Sequence, residues 1–174
     1  AAPEVALIVM ALRWPRRLAL GAAAIGALDL TTSLIPSPAD HLWPIDDVWR
    51  FHAGGQEFHQ VKFFSEALEK RYGAVSGVDE YCQLAQLVTY EAQRAMFEGY
   101  TQRKGHATGV IQWMLNNSWP SLIWHLYDYY LRPGGSYFGA KKAGEPLHVQ
   151  FAYDDRSVVV VNSTLQEHKG LKAT

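Results

Sequence analysis

Three of the six tryptophans in this chain, Trp113, Trp119 and Trp124, fall within TGVIQWMLNNSWPSLIWHLYD, beside Asn116, Asn117, His125 and Asp128. Indole faces interleaved with amides, an imidazole and a carboxylate suit the gripping of a sugar. The apolar C–H face of a pyranose stacks on an aromatic ring while its hydroxyls take hydrogen bonds at the rim. Large aromatics at the end of a strand also serve as plain core, and composition leaves both uses open. Aromatic residues make up 13% of the chain and gather in its second half, which favours a flat ligand such as a carbohydrate.

Carboxylates decide whether such a chain could also cut. Retaining glycosidases hold two carboxyl groups about 5–5.5 Å apart across the scissile bond. The loop acids near the aromatics are Asp46, Asp47, Glu57 and Asp128, with Glu57 and Asp128 the weak catalytic candidates. Glu66, Glu69, Glu91 and Glu98 fall on helical stretches and are expected to face solvent. His41, His52 and His59 are unevenly spaced, with no cysteine beside them and no His-Glu-x-x-His pattern, so no metal site is expected. Phosphate loop, nucleophile elbow and dinucleotide fingerprint are all missing, and no cofactor is implied. The single cysteine, Cys82, cannot form an internal disulfide and reads as a small buried hydrophobe. Asn162-Ser163-Thr164 fits a glycan-acceptor triplet, which matters only for a secreted protein.

A formal net charge of −1 points to neither nucleic acid nor an anionic membrane surface. Arg13, Arg16 and Arg17 precede the Ala/Gly/Leu run Leu18 to Leu28, which has the look of a signal peptide's basic and apolar regions. Asp29 interrupts it, no small-residue cleavage site follows, and it falls short of the roughly 20 residues of a membrane span. It reads as a helix or an irregular cap. Cytoplasmic and secreted locations both stay open.

Period and punctuation divide the chain. Residues 1–38 are Ala-rich and end at Pro36-Ser37-Pro38, which stops any helix. Residues 39–60, with Pro44 and Gly54-Gly55, read as a long ordered loop. Gln60 to Tyr72 places Val61, Phe64, Leu68 and Tyr72 near one helical face, closed by Gly73. A second helix runs from about Val78 to Arg103, opened by a capping pair of Ser76 and Asp79 and carrying Tyr81, Leu84, Ala85, Val88, Ala92 and Ala95 on one stripe. Val110 to Leu115 is strand-like and feeds the aromatic loop. Gly134-Gly135 marks a turn before a short helix over Tyr137 to Ala143. Leu147 to Tyr153 and Ser157 to Asn162 form a hairpin through Asp154-Asp155, and a third strand is expected from Leu171. Two or three such strands cannot cover their own faces, so they look like the start of a larger sheet domain.

Helix, strand, polar loop and helix in that order is the grammar of a (β/α) unit. In (β/α)₈ barrels, binding residues sit on the loops after the strands, where Asn116 to Asp128 falls. The stretch TGVIQWMLNNSWPSLIWHLYDYYLRPGGSYFGAKKAGEPLHVQFAYDDRSVVVVNST, with LWPIDDVWRFHAGG and KFFSEALEKRYG upstream, resembles glycoside hydrolase family two, in its exo-β-D-glucosaminidase and mannosylglycoprotein endo-β-mannosidase branches. The resemblance implies an α/β class: residues 39–145 as the C-terminal part of a (β/α)₈ glycosidase barrel, and residues 146–174 as the first strands of an immunoglobulin-like β-sandwich. Residues 1–38 do not match the family. It also implies retaining hydrolysis of β-glycosides of glucosamine or mannose. Trp113 matches the eighth-strand tryptophan that floors the sugar subsite. Asn116, Trp119 and His52 are its neighbouring candidates for substrate binding. The family's acid/base lies in an Asn-Glu pair, and this chain has none; nor is there a glutamate from Val5 to Arg50, where the nucleophile is expected. The expected partner is therefore carbohydrate, as the end of a glycosidase site, as a non-catalytic binding fragment, or not at all in a fragment that only oligomerises. Unpaired strands make a homo-oligomer the expectation in each case.

Overall fold

The structure, a computed structural model, describes residues 42–53, 61–122 and 125–172. Expectations for residues 1–38, His41, Gly54-Gly55, Glu57, His59 and Trp124 lie outside the described residues.

Helix α1 (Asp47–His52) forms where the sequence suggested only a loop. Asp46 accounts for it. Its carboxylate accepts a hydrogen bond from the Val48 amide at 2.9 Å, occupying a donor that a helix start leaves unpaired. The turn drives Trp49 fully inward, where its indole N–H donates to the Leu42 carbonyl at 2.9 Å.

Helices α2 (Val61–Tyr72) and α3 (Val78–Gln102) match the two periodic stretches to within a residue. Val61, Phe64 and Leu68 are buried and Tyr72 half-buried, as one apolar stripe requires. Gly73, at φ +97°, ends α2 in the left-handed conformation that glycine adopts most readily. The capping partner of Ser76 is Glu80, not Asp79: the Ser76 amide and hydroxyl donate to its carboxylate at 3.0 and 2.8 Å. Gly77 is the N-cap, which puts Glu80 at the third helical position, the one that reaches back. Those two bonds, the amide first, hold the Glu80 carboxyl below its ordinary pKa.

Tyr81 stands at the centre of the core. Trp49 meets it edge-on at 5.7 Å and Phe64 at 6.4 Å, with Leu42, Leu68, Ala85 and Leu122 packed around. Its hydroxyl shares a 2.7 Å hydrogen bond with Ser65. Burial pushes this phenol far above the ordinary tyrosine pKa.

Helix α4 (Gly135–Ala143) lies directly on α3. A Cβ at Gly135 would sit 2.1 Å from the Gln86 carbonyl oxygen, and one at Gly139 would sit 2.3 Å from that of Tyr90. Gly135 is thus the first residue of the helix and a packing surface, beyond its expected use as a turn. The Gln86 side chain accepts from the Gly135 amide at 2.5 Å, fixing the helix start.

Strands β1 (Leu147–Phe151) and β2 (Val158–Asn162) pair antiparallel, from Leu147 opposite Asn162 to Phe151 opposite Val158. The faces are inverted relative to a usual half-buried sheet. His148 and Gln150 point inward, while Val149, Phe151, Val158 and Val160 are exposed. The inward pair docks on the end of α3. His148 Nε2 lies 2.8 Å from the Glu98 carboxylate, Gln150 donates to the Glu98 carbonyl at 2.8 Å, and Thr101 donates to Gln150 at 2.9 Å. Glu98, expected in solvent, is 5% exposed, with the Arg94 guanidinium 3.4 Å away.

Val110–Leu115 is not a strand. A strand needs a neighbouring edge to bond, and among the described residues the hairpin pairs with itself. Asn116 makes a single bridge to Tyr127, and Tyr127 another to Pro133. Leu171 and Lys172 likewise begin no strand. Among the described residues, no helix is long and apolar enough to cross a membrane.

Two changes test this packing. Gly139→Ala should destabilise the chain by about 2 kcal/mol through overpacking, read as a lower denaturation midpoint at unchanged slope. Tyr81→Phe should cost about 1 kcal/mol at neutral pH through the lost hydrogen bond. Because folding raises the Tyr81 pKa, its contribution is complete below about pH 10, the unfolded value, and falls as pH rises beyond it. Alkaline denaturation of Tyr81→Phe should therefore be shallower above that pH than that of the unaltered chain.

Candidate functional site

Trp113 lies at the entrance to the loop between α3 and α4 and is 58% exposed. The preceding residue anchors it, since the buried Gln93 of α3 donates a hydrogen bond to the Gln112 side chain. The peptide between Trp113 and Met114 is cis. Two residues further on, the Leu115 carbonyl accepts from the amides of Leu126 and Tyr127 at 3.1 and 2.9 Å. The two ends of the loop are thus pinned together, with Asn116 exposed beside the seam.

The base of the loop is polar. Asn117 is buried; its amide donates to the Ser121 carbonyl at 3.3 Å and to His125 Nδ1. The His125 carbonyl accepts from the Ser136 hydroxyl of α4 at 2.6 Å. Leu122 is fully buried, and its amide donates to the His52 carbonyl at 2.8 Å. These bonds fold the segment inward, which leaves ring surface at its top.

Trp119, His52 and Phe51 come together. The imidazole lies 5.6 Å from the indole with the planes 26° apart, and Phe51 meets the indole edge-on at 5.5 Å. Trp119 remains 37% exposed, whereas His52 is 7% exposed with Nδ1 2.5 Å from the Pro120 carbonyl. Asp128 is buried and closes a turn: one oxygen accepts from the Arg132 amide at 2.8 Å, and the other pairs with the Arg132 guanidinium at 3.1 Å. Among the described residues, no group of three or more His, Cys, Asp or Glu side chains could hold a metal ion.

Sequence reasoning did not find Phe51, Gln93 or Gln112. Gln93 did leave a trace, as a polar residue one position beyond Ala92 on the inward stripe of α3. Nothing in the sequence ties Gln112 to it, because that contact joins a helix to an irregular segment.

No family model matches the chain. Over 149 residues it is 48% identical to an exo-β-D-glucosaminidase of Streptomyces avermitilis, a match covering 83% of this chain and 16% of the relative. A mannosylglycoprotein endo-β-mannosidase of Lilium longiflorum is 37% identical over 97 residues, covering 55% of this chain and 10% of the relative. The resemblance to glycoside hydrolase family two stands. The solved Amycolatopsis orientalis exo-chitosanase superposes with a TM-score of 0.66 at 39% identity, over 78% of this chain and 17% of that one. A complex of a variant of that enzyme with PNP-β-D-glucosamine gives 0.67 at 41% identity over the same shares. A β-D-mannosidase from Dictyoglomus thermophilum shares the fold, with a TM-score of 0.70 at 22% identity over 80% of this chain and 18% of that one. The chain spans about a sixth of the length of the glucosaminidase relative.

Asp128→Ala should lower stability by about 1–3 kcal/mol, because the Arg132 amide loses its buried acceptor. Asp128→Asn, which keeps an oxygen there, should lose less than half as much. Equal losses in chemical denaturation would show that the ion pair, and not the turn, is what matters.

Proposed function

We propose that the chain forms the sugar-platform end of a family-two-like glycosidase site, with Trp113 as the floor on which a β-glycoside of glucosamine or mannose stacks. The observation that carries this reading is the exposure of that indole within the matched region: a contiguous match over 83% of the chain cannot miss Trp113. Asn116, also exposed, supplies hydrogen bonds at the rim, and Trp119, six residues after Trp113 in the same loop and partly exposed, offers a second ring for the sugar. In this reading residues 39–145 are the C-terminal part of a (β/α)₈ barrel and residues 146–174 open a β-sandwich. The apolar outer face of the hairpin supports the second assignment, since the inner faces of a sandwich are apolar and pack on one another. That face also supports self-association as a homo-oligomer.

The parent reaction is hydrolysis with retention. One carboxyl protonates the leaving oxygen and a second attacks the anomeric carbon, after which water releases the sugar. Asp128 is engaged in the Arg132 turn, and Glu57 lies outside the described residues, so neither receives a catalytic role here. Both glutamates come from elsewhere, and this chain contributes binding.

Titration of the full 174-residue chain with PNP-β-D-glucosamine, followed by calorimetry and by release of p-nitrophenol, tests the assignment. The expected outcome is saturable binding without turnover, weakened about tenfold, or roughly 1.4 kcal/mol, by Trp113→Ala. Turnover that survives Trp113→Ala but is lost in Asp128→Asn or Glu57→Gln would overturn the roles given to these residues.

A further inference from the structure

We infer that His52 is a positioning residue for the stacking surface: its ring and backbone fix the orientation of Trp119 without touching the ligand. The inference rests on the proposal that Trp119 contacts sugar.

Three interactions converge on this residue. First, Nδ1 is 2.5 Å from the Pro120 carbonyl. A carbonyl only accepts, so the imidazole donates to it from Nδ1. Second, the ring lies against the Trp119 indole at 5.6 Å with an interplanar angle of 26°. Third, the His52 carbonyl accepts from the Leu122 amide at 2.8 Å. His52 therefore holds the start, middle and end of the segment from Trp119 to Leu122. Leu122 is fully buried in the core, so the far end of the segment cannot drift.

The indole consequently has one ring stacked on it and a second, Phe51, at its edge, while more than a third of it stays open to solvent. The imidazole itself is 7% exposed and can offer a ligand little surface. A ring backed in this way loses less freedom when a pyranose stacks on it, which raises affinity through preorganisation. A direct contact and a backing role thus predict different coupling between the two residues.

The test is a double-mutant cycle on the full chain with PNP-β-D-glucosamine, together with ¹H–¹⁵N spectra of the indole N–H groups. His52→Asn keeps an N–H near the Pro120 carbonyl but removes the ring, and His52→Phe keeps a ring but removes the donor. Each should weaken binding about fivefold, and neither should weaken it further once Trp119→Ala is present. The Trp119 indole signal should move in both variants while the Trp49 signal holds still. Full additivity with Trp119→Ala would mean that His52 meets the ligand itself and would overturn the inference. So would an unmoved Trp119 signal, and so would a Trp49 shift accompanied by a lower Tm, which would make His52 a general fold residue. If the unaltered chain binds no sugar, the proposed function fails, and the spectra still decide whether His52 orients Trp119.

Discussion

The contact of α4 with the α3 backbone, at the carbonyls of Gln86 and Tyr90, constrains most of the remaining structure. Only residues without a Cβ permit that approach, and two of them, Gly135 and Gly139, lie one helical turn apart on the same face. Once α4 is seated there, both of its ends are fixed. At the start, Ser136 grips the His125 carbonyl and so locates the far side of the aromatic loop. At the end, the short link through Gly144 and Pro146 leads directly into β1, which leaves the hairpin little choice of position.

What holds the hairpin in that position is polar. The stack of His148, Glu98, Gln150 and Thr101 buries a carboxylate whose removal from water costs several kcal/mol before any partner is counted. The Arg94 guanidinium and the His148 imidazole offset that cost by geometry, while the backbone carbonyl of Glu98 satisfies Gln150. Such a joint adds little net stability over an apolar one, but it tolerates a single register, since a slip of one residue would turn Val149 and a flanking Leu147 or Phe151 toward Glu98 in place of His148 and Gln150. Lys142, and to a lesser degree His148, also hold the Glu145 carboxyl below its ordinary pKa, so the end of α4 is tied into the same charge pattern.

Much of this was legible in the sequence, for reasons that separate local from distant causes. The stripes of α2 and α3 and the hairpin at Asp154-Asp155 declare themselves through period and turn chemistry. Helix α1 was hidden because a six-residue helix shows no period, and its signal, Asp46 as a cap, looks like any loop acid. Glu98 was misplaced because a helical glutamate is ordinarily solvated; its partners lie some fifty residues away on β1. The strand expected at Val110–Leu115 is apolar enough, yet a strand exists only in a ladder, and the described residues supply none. For the aromatic loop, residue types nominate Trp113 and Trp119 as candidates, whereas the contacts beside them, Gln93 to Gln112 and His52 to Trp119, are ones that no spacing reveals.

That division between rings and their supports has a physical basis. An indole can serve as a stacking surface only where packing elsewhere prevents it from collapsing into the core, because its own burial would release more free energy than a sugar contact gives. In this chain the core already has Trp49, Tyr81 and Phe64 in edge-to-face contact, with Leu122 inserted from the loop. Gln93 pulls on the residue before Trp113, and the Leu115 carbonyl clamps the segment after it. With the Gln112 side chain and the Leu115 carbonyl both engaged, the segment that carries Trp113 is held on each side of it. Hydrogen bonds on either side of that indole thus favour its exposure.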